Sequence, residues 1–502
     1  MKLTYPLHWG PFVLALWAHP WTLSASTITV TSLGDDTTSD GQVTLREAIL
    51  AANSDSSVDG SVAGNGADEI VFATAPGTIM LDGVLLPTIT DDLTITGPGS
   101  TQLAVDASGQ SRVFHIAVGV TVQISGLTVS TGFANASDGG GIVNDGNLTL
   151  NEVTVSGNTA TGGNGGGIHN TGTLQLTGST ITGNSGLNGG GIFNQGTLII
   201  TDSTLSNNFS DGITGGGGVF NENGALIVTS STIFDNGAVS GGGVASSGGF
   251  SVVTIINSTF SGNEATNNGG AITNFGGSWN ITHSTLTVNQ ANTNNDLVGN
   301  GGGVKFLSGS LLLKNTIVAE NFNGTGPNLD DINGAVVATS SFNIIGIDTG
   351  LTGISNGTNG NQIGSSGAPI DTKLGFLQDN GGSTFTHELL DVSPALDTGV
   401  FVASVATDQR GVTRPQGSAP DVGSFEVFVP STVPTDLDLQ NMVLGSLHVF
   451  EACNSISAGP SVQVGSSAVV SFRSGNFVVL QDGFSVMTGG DFVVTLLLPT
   501  GC

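Results

Sequence analysis

Residues able to do chemistry are sparse and scattered in this chain. Between Val113 and Val304 there is no Lys or Arg at all. The remaining bases of interest, Arg112, Lys305, Lys314 and Arg410, form no recognisable cluster in the sequence. A lyase that removes a proton next to a carboxylate needs a basic group and a means of neutralising the substrate, and the long middle stretch offers it no Lys or Arg for either task. Glycoside hydrolysis needs two carboxyls at a set separation. The middle stretch supplies Asp138, Asp145, Glu152, Asp202, Asp211, Glu222, Asp235, Glu264 and Asp296, none of them adjacent. Asp330 and Asp331 are adjacent, in a loop-like context (GPNLDDINGA) that reads as solvated. His115, His169 and His283 show no H-x-x-x-H or H-E-x-x-H spacing for a metal, and no G-x-S-x-G elbow precedes a helix. The glycine triplets lack the G-K-[ST] of a phosphate loop. Asp35, Asp36 and Asp40 share one acidic loop, the best place for Ca²⁺, although its spacing is not that of an EF-hand.

The elements that must position these residues are repeats. Three glycines, a β-branched residue, an Asn, an apolar-x-apolar pair, Ser-Thr (Val-Thr in the first copy) and a second Asn recur from Gly139, Gly165 and Gly189, with weaker copies from Gly216, Gly241, Gly269 and Gly301. Aligned on Ile142, Ile168, Ile192, Val219, Val244, Ile272 and Val304, the steps are 26, 24, 27, 25, 28 and 32 residues. A period of this size marks a solenoid. Alternating apolar residues (Leu174, Leu176; Leu198, Ile200) are strand periodicity. Three short strands per copy, each followed by a turn, account for the repeat length. The fold class is therefore all-β, a parallel β-helix, right-handed by the rule for parallel crossovers.

Equivalent positions should stack. One apolar ladder is Leu150, Leu176, Ile200, Val228, Ile255 and Ile281; another is Val155, Ile181, Leu205, Ile233, Phe260 and Leu286. Asn158, Asn184, Asn208, Asn236, Asn263 and Asn289 make a polar ladder. Asn144, Asn170, Asn194, Asn221 and Asn274 make a second, broken at Ser246. Stacked amides donate to one rung and accept from the next, which satisfies a polar group at a bend. These columns are assigned to structure, and the sequence nominates no catalytic or cofactor-binding residue.

The formal net charge is −29, which disfavours nucleic acid and anionic lipid as partners. Residues 1–26 read as a secretory signal: Lys2, the apolar run Phe12–Ala18, then small residues Ser24-Ala25-Ser26. No later stretch is long and apolar enough for a membrane span. An extracellular or cell-surface location follows, for a chain expected to be monomeric. Residues 27–110 form a cap and first rungs, with an amphipathic helix after Thr44, whose spacing to Glu47 fits a capping box. Residues 111–322 hold the repeats, 323–428 a less regular continuation, 429–436 a linker and 437–502 a small C-terminal β module. Cys453 and Cys502 are the only cysteines. In an exported protein, one bridge closing the module is expected.

The stretch VTSLGDDTTSDGQVTLREAILAAN resembles the CSLREA region of exported bacterial β-helix proteins, with Val43 where that family carries Cys. SPALD, TDQRG, Arg414-Pro415 and PDVGSFE resemble the ending of the choice-of-anchor Q domain. FRSGNFVVLQDGFSVMTGGDF is similar to a three-coathanger-stack module. These resemblances imply a secreted or surface β-helix with a C-terminal attachment module, and no known reaction. Asp408, Arg410, Arg414 and Asp421, within the second resemblance, read as ion-paired at the closing end of the solenoid. The expected function is non-catalytic: adhesive, structural or glycan-contacting, with a polysaccharide or a cell-surface component as partner. The alternative is a polysaccharide lyase or glycoside hydrolase, which requires Lys305 or Arg112 to meet at least two carboxylates.

Overall fold

A computed structural model describes residues 25–296 and 298–428, together with nine strands between Asp436 and Leu496. Residues 1–24 of the expected signal segment, 429–435 of the expected linker, and both cysteines with their expected bridge lie outside the described residues.

From Thr27 to Ile363 the chain winds into a parallel β-helix. Its strands stack into sheets of eleven, twelve, ten and eight strands. One full turn shows how. Ile142–Asn144 joins the ten-strand sheet, Asn147–Asn151 the eleven-strand sheet, Thr154–Ser156 the twelve-strand sheet and Thr159–Thr161 the eight-strand sheet. The rung thus has four strands where the repeat suggested three. The fourth is only two or three residues long, as in Ser185–Gly186. It sits between an Asn and the glycines, too short to register as alternation.

The register places the ladder residues opposite one another. Leu150 pairs with Leu176, Leu176 with Ile200, Val155 with Ile181 and Ile181 with Leu205. Their side chains are fully buried in one continuous core. Truncating one of these to Ala should cost roughly 2–5 kcal/mol. The corner between the eight- and ten-strand sheets is the glycine triplet. Gly165 has φ +67°, and an added Cβ would lie 2.3 Å from the Ile168 carbonyl oxygen, so backbone occupies the space a side chain would need.

The helix Leu45–Ser54 stands at the first rungs. Its capping box is complete: Thr44 Oγ1 accepts from Glu47 N at 3.2 Å, and Glu47 Oε2 accepts from Thr44 N at 2.9 Å. Leu45, Ala48, Ile49 and Ala52 are buried in the solenoid core. They supply the apolar cover that a first rung needs. Val43 is buried there too.

Beyond the last rungs, residues 371–428 fold back as a strap over the outer face of the twelve-strand sheet. The outward positions change to receive it. The threonines Thr154, Thr180 and Thr204 are half-buried, Thr232, Thr259 and Thr285 are buried, and the column ends in Ile317 and Ile344. Those two isoleucines pack with Leu389, Ala395, Val422 and Phe425 of the strap. Gln409 inserts its amide between layers, donating to Thr232 Oγ1 at 2.9 Å and accepting from Thr259 Oγ1 at 2.7 Å.

The charges read as closing the solenoid lie along its later rungs, where the strap meets Asn257, Thr285 and Asn315. Arg410 pairs with Asp408 at 2.7 Å and covers the Phe425 ring; Arg414 pairs with Glu426 at 2.9 Å. Asp421 instead accepts from the backbone of Asp397 and Val427. Glu426 takes the place expected of Asp421 because the strap's turn aims it inward at Arg414.

Candidate functional site: an outward file on the ten-strand sheet

In each three-residue strand of the ten-strand sheet the first and third side chains point into the core, so the middle one points out. The register stacks these middle residues into a file: His115, Val143, His169, Phe193, Phe220, Ala245, Thr273, Lys305 and Asn333. From Val143 to Lys305 the preceding glycine corner folds over the outward residue. At Gly139 an added Cβ would lie 2.5 Å from Val143 Cγ2. Phe193 and Phe220 are consequently almost fully buried, although they face away from the core. The His169 ring stacks on Phe193 (centroids 5.2 Å apart, planes 5° apart), and Phe193 stacks on Phe220 at 5.6 Å. These aromatics hold the file rigid and leave little ring surface for a ligand.

Titratable groups gather at the N-terminal end of the file. His115 Nε2 lies 3.0 Å from Asp145 Oδ2, and its Nδ1 lies 3.4 Å from Thr88 Oγ1. Ionised Asp145 only accepts, so Nε2 carries the proton toward it. Asp145 Oδ1 also accepts from Thr171 Oγ1 at 2.6 Å. Burial works to raise the Asp145 carboxyl, but the hydrogen bonds from Thr171 and His115 outweigh it and hold the group below the usual carboxylate range. His169 Nε2 stands 3.6 Å from Asp138 Oδ2, beyond hydrogen-bond reach. Burial depresses its pKa, and Arg112 adds to the effect against Asp138 and Asp145, so the imidazole is neutral at pH 7. Arg112 lies half-buried beside them and donates to Ser137 Oγ at 2.7 Å and to the Asp138 carbonyl at 3.0 Å. Burial also lowers its pKa, while Asp138 and Asp145 resist.

The fold thus brings Arg112, His115, Asp138, Asp145 and His169 into one patch that the sequence left dispersed. Part of its signal was present in the residue just before each glycine triplet: Asp138, Asn164, Asn188, Gly215, Ser240, Asn268 and Asn300. This is a third polar column. Asp138 Oδ1 accepts from Asn164 N at 2.7 Å, and Asn164 Oδ1 accepts from Asn188 Nδ2 at 3.0 Å.

The two Asn ladders are buried, the first hydrogen-bonded from rung to rung throughout and the second as far as Asn221 and again from Ser246. Asn158 Nδ2 donates to Asn184 Oδ1, Asn184 to Asn208, Asn208 to Asn236, Asn236 to Asn263 and Asn263 to Asn289, all at 2.9–3.0 Å. The column continues through Asn321 to Asp331 Oδ1. In the second ladder Asn144 donates to Asn170, Asn170 to Asn194 and Asn194 to Asn221, each at 2.6 Å. Ser246 donates to Asn274 at 2.6 Å.

Asp330 and Asp331 are not solvated: both are buried at the end of the ladder. Burial pushes the Asp331 carboxyl up to about 7, against the hydrogen bonds from Asn321. Of the acidic loop, Asp35 is taken by Arg46, which donates to both its oxygens at 2.9 and 2.8 Å. Asp36 and Asp40 accept from the backbone of Thr38 and Gln42. Among the described residues no three His, Cys, Asp or Glu side chains converge as metal ligands, and no helix is long and apolar enough to cross a membrane.

No protein-family model matches the chain, and no curated protein does either. Solved structures similar to it include pectate lyase Pel9A, with 13% identity and a TM-score of 0.44 over 81% of this chain and 97% of that one. Another is the PL6 family alginate lyase AlyGC, with 12% identity and a TM-score of 0.27 over 93% of this chain and 74% of that one. The class of protein is set by its own strand register: an all-β parallel β-helix.

Proposed function

We propose that this is an exported β-helix protein that holds neutral glycan chains on the outer face of its first rungs, without turning them over. The observation that carries the reading is the convergence of Arg112, His115, Asp138, Asp145 and His169 on one outward patch. Later rungs fill equivalent file positions with Phe193, Phe220 and Ala245 and stack equally well, so stacking alone does not call for ionisable groups. An arginine fork, two imidazoles, two carboxylates and the hydroxyls of Thr88 and Thr171 suit the mixed donors and acceptors of sugar hydroxyls. Two carboxylates on a chain of net charge −29 disfavour an anionic polymer. Export and surface attachment rest on the signal-like residues 1–26 and on the resemblance of TLREAILAAN and SPALDTG…TDQRGVTRP…DVGSFE to the CSLREA and choice-of-anchor Q families.

One arrangement favours a second reading, catalysis by a carbohydrate-active enzyme. A neutral imidazole beside an arginine and a carboxylate is a competent general base. A single experiment separates the two. The purified protein is incubated with neutral and acidic polysaccharides, and binding, new unsaturated ends and new reducing ends are measured together. The binding reading expects retention on a neutral glycan and at least about a tenfold loss, ~1.4 kcal/mol, in Arg112→Ala or Asp145→Asn. Products that vanish in His169→Ala would establish the second reading. Unchanged retention in Arg112→Ala would remove the patch from both.

A further inference from the structure

The far end of the same file holds a different chemistry. Lys305 is the first Lys or Arg after Arg112. Its Nζ lies 2.6 Å from Asn300 Oδ1 and 2.6 Å from Asn333 Oδ1. Asn300 immediately precedes the glycine corner Gly301–Gly303, and Asn333 is the register partner of Lys305 on the next rung. Asp330 is 5% exposed and interacts electrostatically with Lys305 from the far side of the same glycine corner, through Gly301. Its Oδ2 accepts from Gly301 N at 2.7 Å and from Asn323 Nδ2 at 3.0 Å, while its Oδ1 is buried without a hydrogen-bond partner. A primary amine, a carboxamide and an under-satisfied buried acid are the three components of amide exchange.

We propose that Lys305 and Asn300 join in an intramolecular isopeptide bond, with Asp330 transferring the protons. The uncharged Lys305 amine adds to Asn300 Cγ. Asp330, in its acid form, protonates the departing Nδ2 and takes up a proton released from Nζ. The Nζ–Cγ bond forms, the Cγ–Nδ2 bond breaks and ammonia leaves; no oxidant, reductant or metal takes part. Holding amine and amide in contact replaces a bimolecular encounter with an intramolecular one. Burial favours the reactive forms of both partners, lowering the pKa of Lys305 and raising that of Asp330. Asn300 is preferred to Asn333 because Asp330 grips the Gly301 N–H, on the peptide bond that Asn300 itself forms. The bond would lock the glycine corner onto its strand at the longest step of the repeat, 32 residues from Ile272 to Val304.

The test uses the full chain. Its intact mass should fall short of the sequence mass by one ammonia. Cleavage at Glu264, Glu320 and Glu388 should place that loss within the peptide 265–320, and trypsin should fail to cut after Lys305. Lys305→Arg should restore the full mass, and Asp330→Asn should slow bond formation at least about tenfold. Full mass in the native protein overturns the proposal. So does an ammonia loss that survives in Lys305→Arg, which would be a succinimide at Asn300-Gly301. A covalent link between peptides 265–320 and 321–388 would make Asn333 the acceptor and overturn the assignment of Asn300. Should either variant fail to fold, the native peptide map still decides.

Discussion

Replacing Asn208 with Ala tests whether the buried amide column is a stabilising element of the solenoid. Asn208 is fully buried and makes four side-chain hydrogen bonds. Its Nδ2 donates to the Ile181 carbonyl and to Asn236 Oδ1, both at 2.9 Å, and its Oδ1 accepts from Asn184 Nδ2 at 2.9 Å and Asn184 N at 3.1 Å. Two of the groups left behind keep a second partner: Asn236 Oδ1 still accepts from Asn208 N, and Asn184 Nδ2 still reaches the Val155 carbonyl. The buried Asn184 N–H loses its acceptor. One stranded donor costs about 1–3 kcal/mol and each other lost bond about 1 kcal/mol or less, giving ~3–5 kcal/mol together. For roughly 400 residues melting as one unit at ~2.1 cal/mol/K each, that lowers Tm by about 4–6 °C. Thermal unfolding followed by circular dichroism would be compared with Asn147→Ala, an exposed strand position where a shift under about 0.5 kcal/mol is expected. Equal melting of the two variants would refute the argument. Asn208→Asp supplies the sign: a carboxylate there keeps the acceptors but loses the donors in a buried site. Its pKa must rise, as that of Asp331 does at the column's end, so this variant should gain stability as pH falls through the raised pKa.

Three further outcomes follow from particular contacts. His283 is fully buried and its Nε2 accepts from Asn315 Nδ2 at 2.8 Å, the amide being oriented by the Val400 N–H and carbonyl. Burial lowers its pKa to about 2. Below pH 6.5 the unfolded chain therefore binds the extra proton, and stability falls with pH by at most ~1.4 kcal/mol per unit. His283→Asn suits the left-handed φ of +48° and should flatten that slope between pH 6.5 and 4.5 in melting experiments. Ser246→Asn should destabilise alone yet be tolerated with Trp279→Leu, with a coupling of roughly 1–3 kcal/mol across the four corners of a melting cycle. Gly165→Ala sets a Cβ 2.3 Å from the Ile168 carbonyl at φ +67° and should abolish soluble folded protein, measured as the folded fraction after refolding.

The sequence was legible where chemistry repeats. Leu150, Leu176 and Ile200 recur with one residue type per rung, and their stacking follows from the period alone. The break at Ser246 was visible but unexplained until Trp279 was placed. In the rung with Ser246 above it, Trp279 takes the core position held by Leu174 and Leu198 elsewhere, and its Nε1 donates to Ser246 Oγ at 3.0 Å and Asn274 Oδ1 at 3.2 Å. A serine there makes room for the indole and gives it an acceptor, so two apparent irregularities are one compensated exchange. The strap was illegible because its contacts bridge more than a hundred residues, as from Gln409 to Thr232. Its one local signal is the change from Thr285 to Ile317 on an outward position, an apolar residue facing out that needs a cover.

The outward patch was missed for a related reason. Arg112 precedes the first repeat copy, and Asp138 and Asp145 fall in turns where a lone acid usually means solvation. Only the winding of the rungs sets Arg112 beside Asp138 and His115 beside Asp145. A solenoid writes its structural residues once per rung, in register, and so announces them. A site spans neighbouring rungs with a different residue type on each, and periodicity discards that kind of pattern. Departures from the repeat at outward positions are therefore where function should be sought on this fold. The two such departures along the ten-strand file are the Arg112–His169 patch and the Lys305–Asn300–Asp330 group.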